Sequence, residues 1–204
     1  MLTLHAAELV LPGAGLPPVP GGAVLVRGAA VEAVGPEAEL TAAWPGARVR
    51  RWPGLLTPGL VQAYGVELLE ETYHPDPREA EAPWPAPGPG DTTRWSGSAR
   101  RGVQRLLAHG VVAVAGAFRH RWAAEAVTRS GLVLLPAAAR PGPASLDPLT
   151  GCATAAAAYH GTLTPGAPAH FAAFAVPDEP ALLAHGASTC TATVVAGRLL
   201  HRRR

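Results

Sequence analysis

Lysine, asparagine and isoleucine are all missing from the 204-residue sequence, so its basic side chains other than histidine are arginines. We attribute this bias to a GC-rich coding sequence, and an arginine in place of a lysine therefore carries little functional information. The net charge is only +2, and aromatic residues do not alternate with the arginines. Because nucleic-acid-binding surfaces combine a basic patch with stacking aromatic residues, the sequence predicts no binding to nucleic acid.

Cysteine is scarce as well. The chain has only Cys152 and Cys190, and neither lies in a C-x-x-C pair, which argues against a zinc knuckle and a disulfide framework. The sequence has no glycine-rich phosphate loop, no G-x-S-x-G elbow and no cysteine–histidine pair in a nucleophile context. These widespread motifs therefore assign no enzyme class to the chain.

Long hydrophobic runs are the third absence. The longest run, residues 111–118, is much shorter than the ~20 residues that a membrane-spanning helix needs. Residues 1–8 carry no basic segment, and Glu8 interrupts the apolar pattern, so we expect no signal peptide. The chain is expected to be a cytoplasmic protein that does not contact a membrane.

Proline and glycine, in contrast, are abundant, and they divide the sequence into short elements. Residues 1–57 predict a small β-rich layer. Its predicted elements are a β-favouring run over 2–11, a hairpin of 22–28 and 30–35, a helix over 37–44 and a strand over 47–52.

The middle of the chain predicts alternating strands and helices, which is typical of a parallel sheet. The predicted elements are a buried strand over 60–69, an acidic and then proline-rich loop over about 72–95, a helix from about Ala99 to Gly110, a strand over 111–115, a helix over 119–130 and a strand over 132–135. The last third predicts an alanine-rich helix from an Asp147-Pro148 cap to His160, a strand over 170–176, a short helix before His185 and a hairpin over 191–201.

Five histidines have structural interpretations. His109, His160 and His185 each precede a glycine at the end of an alanine- or leucine-rich stretch, where a histidine can bind a free helix carbonyl and interact favourably with the helix dipole. His5 and His201 lie in predicted strands, and we expect both side chains to be exposed.

Three blocks of sequence resemble the amidohydrolase superfamily, and most closely its imidazolonepropionases and related deaminases, such as the aminodeoxyfutalosine deaminases. The blocks are G-L-L-T-P-G-L-V at 54–61, G-T-L-T-P-G-A-P-A-H at 161–170 and T-V-V-A-G-R-L-L at 193–200. The resemblance implies an α/β fold with two parts. Residues 1–57 and 161–204 would form a composite β-sandwich, and residues 58–160 a truncated, partial β/α barrel-like region.

The chain departs from that family where the family binds metal. The family has an H-x-H pair at the end of its first barrel strand, where alternation lets both imidazoles reach one ion. Tyr64 and Val66 occupy those positions, and Gln62 is expected on the same strand face. Residues 58–160 also leave room for only three or four strands, whereas a closed barrel needs at least about 200 residues. His170 replaces an aspartate of the family's return motif.

Two functions follow from this comparison. The first is a non-catalytic, metal-free binding or structural module, in which Gln62, Tyr64, Val66 and Trp122 could contact a small-molecule ligand. The second is a hydrolase or deaminase that acts on non-peptide C–N bonds in cyclic amides or nucleoside-type substrates. Its rebuilt site would use Glu67, Glu70, His74 and His120, with one divalent ion such as zinc as an optional cofactor.

The partial barrel also raises the question of a partner. An open sheet of three parallel strands exposes its edges and at least one face. We expect the proline-rich loop, the sandwich or another chain to cover it, which makes a homodimer or a partner protein possible.

Overall fold

The computed structural model describes residues 2–79, 87–88, 90–137 and 142–203. The N-terminal elements are β1 (Leu2–Ala6), β2 (Leu9–Val10), β3 (Val19–Pro20), β4 (Gly22–Arg27), β5 (Ala30–Pro36), α1 (Glu37–Ala43), β6 (Arg48–Arg51) and β7 (Leu55–Pro58). The middle elements are β8 (Leu60–Gln62), a π-helical turn (Glu67–Glu71), a 3₁₀ turn (Pro77–Glu79), α2 (Thr92–Leu107), β9 (Val111–Ala115), α3 (Arg121–Arg129) and β10 (Val133–Leu135). The C-terminal elements are a 3₁₀ turn (Ala155–Ala158), β11 (Phe171–Phe174), α4 (Glu179–His185), a 3₁₀ turn (Ala187–Thr189), β12 (Cys190–Val195) and β13 (Arg198–Arg202).

Two sheets built from both ends of the chain form the β-rich layer. One sheet has the strand order β5-β4-β1-β6, and the other has the order β13-β12-β11-β7-β2-β3. Their facing side chains alternate with outward-pointing ones, because successive strand residues point to opposite faces. Val24 of β4, Leu56 of β7, Phe171 of β11 and Val194 of β12 belong to the buried core that the two sheets share. The predicted sandwich is therefore present, while the residue boundaries of the two parts stay predictions.

A third sheet has the order β10-β9-β8, and its strands are parallel. The strand register places Val61, Ala113 and Val133 side by side on one face, and Gln62, Val114 and Leu134 on the other. Helices α2 and α3 share a core with this sheet, as the alternating pattern of strands and helices predicts. The prediction of an α/β fold with a small parallel sheet is confirmed.

The first parallel strand is shorter than predicted, because it ends at Gln62 rather than continuing to Leu69. Leu68 and Leu69 are buried all the same, but they lie in the π-helical turn that packs against α2. A short apolar run does not distinguish a buried strand from a buried helix, so periodicity alone gave the wrong element here.

Helix α2 begins at Thr92, seven residues before the predicted start near Ala99. The Asp91 side chain accepts a hydrogen bond of 3.0 Å from the Arg94 backbone N–H and caps the helix. The predicted loop over 72–95 therefore overlaps the first turn of α2. Residues 80–86 and 89 of that prediction lie outside the described residues.

The predicted helix from Asp147 to His160 is wrong. Only Ala155–Ala158 forms a 3₁₀ turn, because Gly151 adopts φ of +73° and interrupts any continuous helix. The Asp147 carboxylate accepts one hydrogen bond from the Leu149 N–H and another from the Ala187 N–H, just after α4. Asp147 thus joins two segments that are far apart in sequence instead of capping a long helix.

The histidine interpretations are correct in part. His109 donates from Nδ1 to the Arg105 carbonyl at the end of α2, and His185 is the last residue of α4, as predicted. His160 does not end an α-helix, and its ring packs against His170 at 5.6 Å. His5 is buried rather than exposed, and His201 is half-buried, because both strands pack against neighbouring elements.

The edges of the parallel sheet differ. Tyr159 bridges Leu60 on the outer edge of β8, whereas β10 has no outer strand neighbour within the described ranges. Leu134 of β10 is 39% exposed. The prediction that a second copy or a partner covers this sheet stays a prediction. None of the described helices is long and apolar enough to cross a membrane.

Candidate functional site

The carboxyl ends of β8, β9 and β10 meet at one edge of the parallel sheet, where α/β proteins bind ligands. The segment from Ala63 to Glu71 follows β8, and the segment from Gly116 to His120 follows β9. These two segments carry most of the predicted site residues, so the strand ends are the candidate functional site.

Gln62 is the last residue of β8 and has no exposed surface. Its Nε2 donates to the Ser145 carbonyl at 2.9 Å and lies 3.4 Å from the Leu146 carbonyl. Its Oε1 accepts a hydrogen bond from the Tyr64 N–H at 3.0 Å. Both ends of the amide are therefore used to attach the strand end to the segment at 145–146.

Tyr64 and Val66 do not share a strand face with Gln62, because the strand has already ended. The Tyr64 hydroxyl donates to the Gly142 carbonyl at 3.1 Å. Val66 is the N-cap residue of the π-helical turn, and its side chain lies against Gly116. The prediction that these three residues share one strand face is therefore wrong, and each of the three side chains has its own structural contacts.

These residues do not fit the metal ion that the family resemblance implies. Val66 has no donor atom, the Tyr64 phenol is a hydrogen-bond donor to a carbonyl, and the Gln62 amide is engaged at both ends. Neutral phenol and amide groups are also poor substitutes for imidazole at a transition-metal site. Within the described parts of the chain, no group of three histidine, cysteine, aspartate or glutamate side chains is placed to hold a metal ion.

Glu70 and His120 are the two members of the alternative catalytic set that the structure brings together. Glu70 is buried, and its Oε1 accepts a 2.6 Å hydrogen bond from the His120 backbone N–H at the start of α3. Its Oε2 lies 3.6 Å from Arg119 Nε and has no hydrogen-bond partner among the described residues. A carboxylate in this position also stabilises the positive end of the helix dipole.

His74 is buried, and its ring contacts are structural. Its Nε2 is 2.7 Å from the Leu68 carbonyl and donates to it, while Nδ1 faces Arg105 at 3.4 Å. Burial is the main cause that lowers the pKa of His74, so the imidazole is neutral at pH 7. Glu67 is exposed, and its backbone carbonyl accepts a hydrogen bond from the Thr72 hydroxyl.

Trp122 lies between the helices of the parallel-sheet region. Its ring stacks on Trp95 of α2 at 6.0 Å and on His120 at 5.2 Å. It also lines a cavity of about 280 Å³ together with Arg100 and Arg129. The partners of Trp122 therefore differ from those of Gln62, and the predicted ligand-binding set is divided between two places.

Comparison with known proteins agrees with the resemblance found in the sequence. Residues 22–47, which cover β4, β5 and α1, match the family model of the imidazolonepropionase-like composite domain of bacteria. In this segment the chain is similar to that composite domain. No curated protein matches it significantly.

Several solved structures resemble this chain over about two thirds of its length. They include A. niger ochratoxinase (22% identity, 66% of this chain and 30% of that chain, TM-score 0.46), Helicobacter pylori aminofutalosine deaminase (15%, 66% and 32%, 0.45) and E. coli guanine deaminase (18%, 66% and 35%, 0.45). The chain spans about a third of the length of these proteins.

A second group of polar residues, which local sequence patterns did not indicate, lies in the sandwich. His5, Arg48, Arg50, Trp52 and Arg202 line two neighbouring cavities between β6 and β13. The alternation within residues 47–52 does indicate which of these arginines share a strand face. The approach of β6 to β13 depends on contacts between residues more than a hundred positions apart, such as Trp52 and Arg202, which no local pattern specifies.

Proposed function

We propose that the amidohydrolase-like chain is a non-catalytic, metal-free binding or structural module of the cytoplasm. The hydrogen bonding of Gln62 is the observation that carries this proposal. At the end of the first parallel strand, its amide joins β8 to the segment at 145–146 and to the Tyr64 backbone. The strand end that carries the metal site in the family thus has a structural role here.

The contacts of Tyr64 and Val66 support the same conclusion. A metal site requires side chains that present lone pairs to one point in space. Here the Tyr64 hydroxyl binds the Gly142 carbonyl, and Val66 packs beside Gly116. Recruiting either position would require both a change of residue and the loss of these contacts.

A second candidate is a hydrolase or deaminase for non-peptide C–N bonds with a rebuilt site. The observation that favours it is Glu70 Oε2, a buried carboxylate oxygen without a hydrogen-bond partner among the described residues. It lies next to the Arg119 guanidinium, and the exposed His120 follows directly. A carboxylate and an imidazole at the edge of a parallel sheet could act as general acid and base.

One experiment separates the two functions. The chain is purified without chelators, its zinc, iron and manganese contents are measured, and cyclic amides and nucleosides are tested as substrates with added zinc. The adenosine deaminase from Xanthomonas campestris, whose structure contains bound zinc, is handled in parallel as the positive control for metal retention and turnover. The module predicts substoichiometric metal and no turnover.

Stoichiometric metal that survives gel filtration would contradict the metal-free module. If turnover is found, Glu70→Gln, His74→Ala and His120→Ala should each abolish it under the second candidate. Glu125→Gln is the matched control, because Glu125 forms ion pairs with Arg121 and Arg129 on α3 and lies outside the rebuilt site. An active wild type that is insensitive to the first three substitutions would reject the rebuilt site.

A further inference from the structure

The open side of the sandwich contains a cleft between two edge strands. β6 ends one sheet and β13 ends the other, so neither strand has a neighbour in its sheet on this side within the described residues. A cavity of about 420 Å³ lies between them and is lined by Thr3, His5, Arg50 and Leu199. A second cavity of about 230 Å³ adjoins it and shares Arg50 and Leu199. We refer to the two cavities together as the arginine cleft.

Strand register determines which arginines face this cleft. Thr3 pairs with Arg48 and His5 pairs with Arg50 across the β1–β6 ladder, so both arginines point to the same face as His5. That face is the inner side of the sandwich, where His5 packs edge-on against Phe171 at 4.7 Å. Arg48 and Arg50 have no carboxylate partner among the described residues.

Arg51 shows the contrast on the opposite face of the same strand. It forms an ion pair of 2.6 Å with Glu37 of α1. Neither cavity of the cleft has an aspartate or glutamate among its described lining residues. Arg51 also lines the smaller cavity, but its charge is paired with Glu37, whereas Arg48 and Arg50 contribute positive charge that no described carboxylate neutralises.

The floor of the cleft is aromatic and fixed. Trp52 Nε1 donates to His5 Nδ1 at 3.1 Å, and the two rings are nearly parallel. Burial, with a smaller contribution from the positive charge of Arg50, lowers the pKa of His5 to about 3. The imidazole therefore stays neutral at pH 7 and can accept this bond. Arg202 of β13 places its guanidinium 5.8 Å above the Trp52 ring.

We propose that the arginine cleft binds a small phosphorylated metabolite, with the phosphate held by Arg48, Arg50 and Arg202. Guanidinium groups match phosphate oxygens in geometry and in charge, and they form paired hydrogen bonds to them. Charged residues on edge strands also prevent sheets from pairing with other chains. That role explains exposed arginines, but it does not account for two adjoining cavities above a fixed aromatic floor. A sugar or base attached to the phosphate would occupy the larger cavity.

This inference goes beyond the proposed function, because the cleft lies in the sandwich and not at the strand ends that carry Gln62 and Glu70. If catalysis is detected in the parallel-sheet region, the prediction that the arginine cleft binds a phosphorylated metabolite does not change. Equally, if no phosphorylated probe binds to the arginine cleft, the proposal of a metal-free module does not change.

Titration calorimetry and NMR with ribose 5-phosphate, adenosine monophosphate and inorganic phosphate test the proposal, with ribose and adenosine as unphosphorylated controls. The phosphorylated probes are expected to bind saturably and to shift signals of Thr3, Trp52 and Leu199. Arg50→Gln and Arg48→Gln should each weaken binding by about tenfold, as expected for the loss of one charge-assisted contact. Arg129→Gln, which removes the same charge from α3, should change affinity by less than about twofold.

Several results would overturn the site. They are the absence of saturable binding by the phosphate esters, an Arg129→Gln effect equal to that of Arg50→Gln, and inorganic phosphate binding as tightly as the esters. Tighter binding of a single-stranded oligonucleotide, with signal shifts spread over the arginine-bearing surface, would also overturn it in favour of a general polyanion surface. If the Arg50→Gln protein does not fold, the Arg48→Gln protein is used to test the site, because Arg48 is exposed and its substitution leaves the core intact.

Discussion

Gln62 shows how one side chain can connect two parts of this molecule. Its amide is fully buried and reaches a backbone carbonyl 83 residues further along the chain. A buried polar group that loses its partner costs more free energy than its hydrogen bond contributes when it is made. Removal of this side chain would leave the Ser145 carbonyl and the Tyr64 N–H without their partner. Gln62 is therefore a structural residue at the place where the family resemblance suggested chemistry.

We expect Gln62→Ala to lower the free energy of unfolding by about 2–3 kcal/mol, because it creates a cavity and leaves two half-buried backbone groups without their partner. Urea denaturation followed by circular dichroism measures this loss. Gln104→Ala is the matched control, since Gln104 is exposed on α2 and should change stability by less than about 0.5 kcal/mol. If the Gln62→Ala protein is as stable as the Gln104→Ala protein, the hydrogen bonds of Gln62 contribute little to the free energy of unfolding.

Helix α2 is the element whose extent the sequence analysis underestimated. Its apolar stripe is clear from Ala99 onward, whereas the first turn contains threonine, arginine and tryptophan. The start is specified by Asp91, and a capping residue is a weaker sequence signal than periodicity within a loop rich in proline and glycine. Gly102 allows this helix to approach the π-helical turn, because a Cβ there would meet Leu69 and His74 at 2.6–2.8 Å.

Asp91→Ala is expected to destabilise the protein by about 1 kcal/mol, through loss of the N-cap bond to the Arg94 N–H. Amide hydrogen exchange should accelerate at residues 93–95, where the first turn would open, and remain slow at Val103. Asp91→Asn is the control, because asparagine caps helices nearly as well as aspartate. Unchanged exchange in the alanine variant would mean that the helix begins near Ala99 after all.

At the scale of the whole molecule, burial of histidines couples folding to pH. The histidines with a lowered pKa are His5, His74, His160, His170 and His201, and burial is the largest cause for each. In the unfolded chain these histidines take up protons near their ordinary pKa of 6.5, whereas in the folded chain they resist protonation. The stability from these groups is therefore fully present above pH 6.5 and is lost as the pH falls towards the folded pKa values.

The free energy of unfolding is expected to fall steadily between pH 7 and pH 4. His5 alone, whose folded pKa is about 3, should contribute a slope of about 1.4 kcal/mol per pH unit below 6.5. Denaturant titrations at several pH values measure this slope, and His5→Gln should reduce it, with the same substitution at the exposed His120 as the matched control. A wild-type stability that is flat down to pH 4 would contradict the neutral burial of these rings.

The sequence by itself determined the local elements and one chemical fact. Hairpins, the strands of the parallel sheet and helices α1 and α3 follow from alternation, helical periodicity and glycine or proline at the ends, which are properties of neighbouring residues. The sequence also places Tyr64 and Val66 at the positions where the family resemblance implies an H-x-H pair.

Only the tertiary structure decided which side chains face inward. Arg50 and Arg51 are adjacent in sequence, yet they point to opposite faces of β6, with Arg50 on the face of His5 and Arg51 bound to Glu37, because the β1–β6 register fixes their faces. His5 is buried because a C-terminal strand carrying Phe171 packs over it. Contacts between distant segments set both outcomes, and local sequence patterns contain no information on which distant strands will meet.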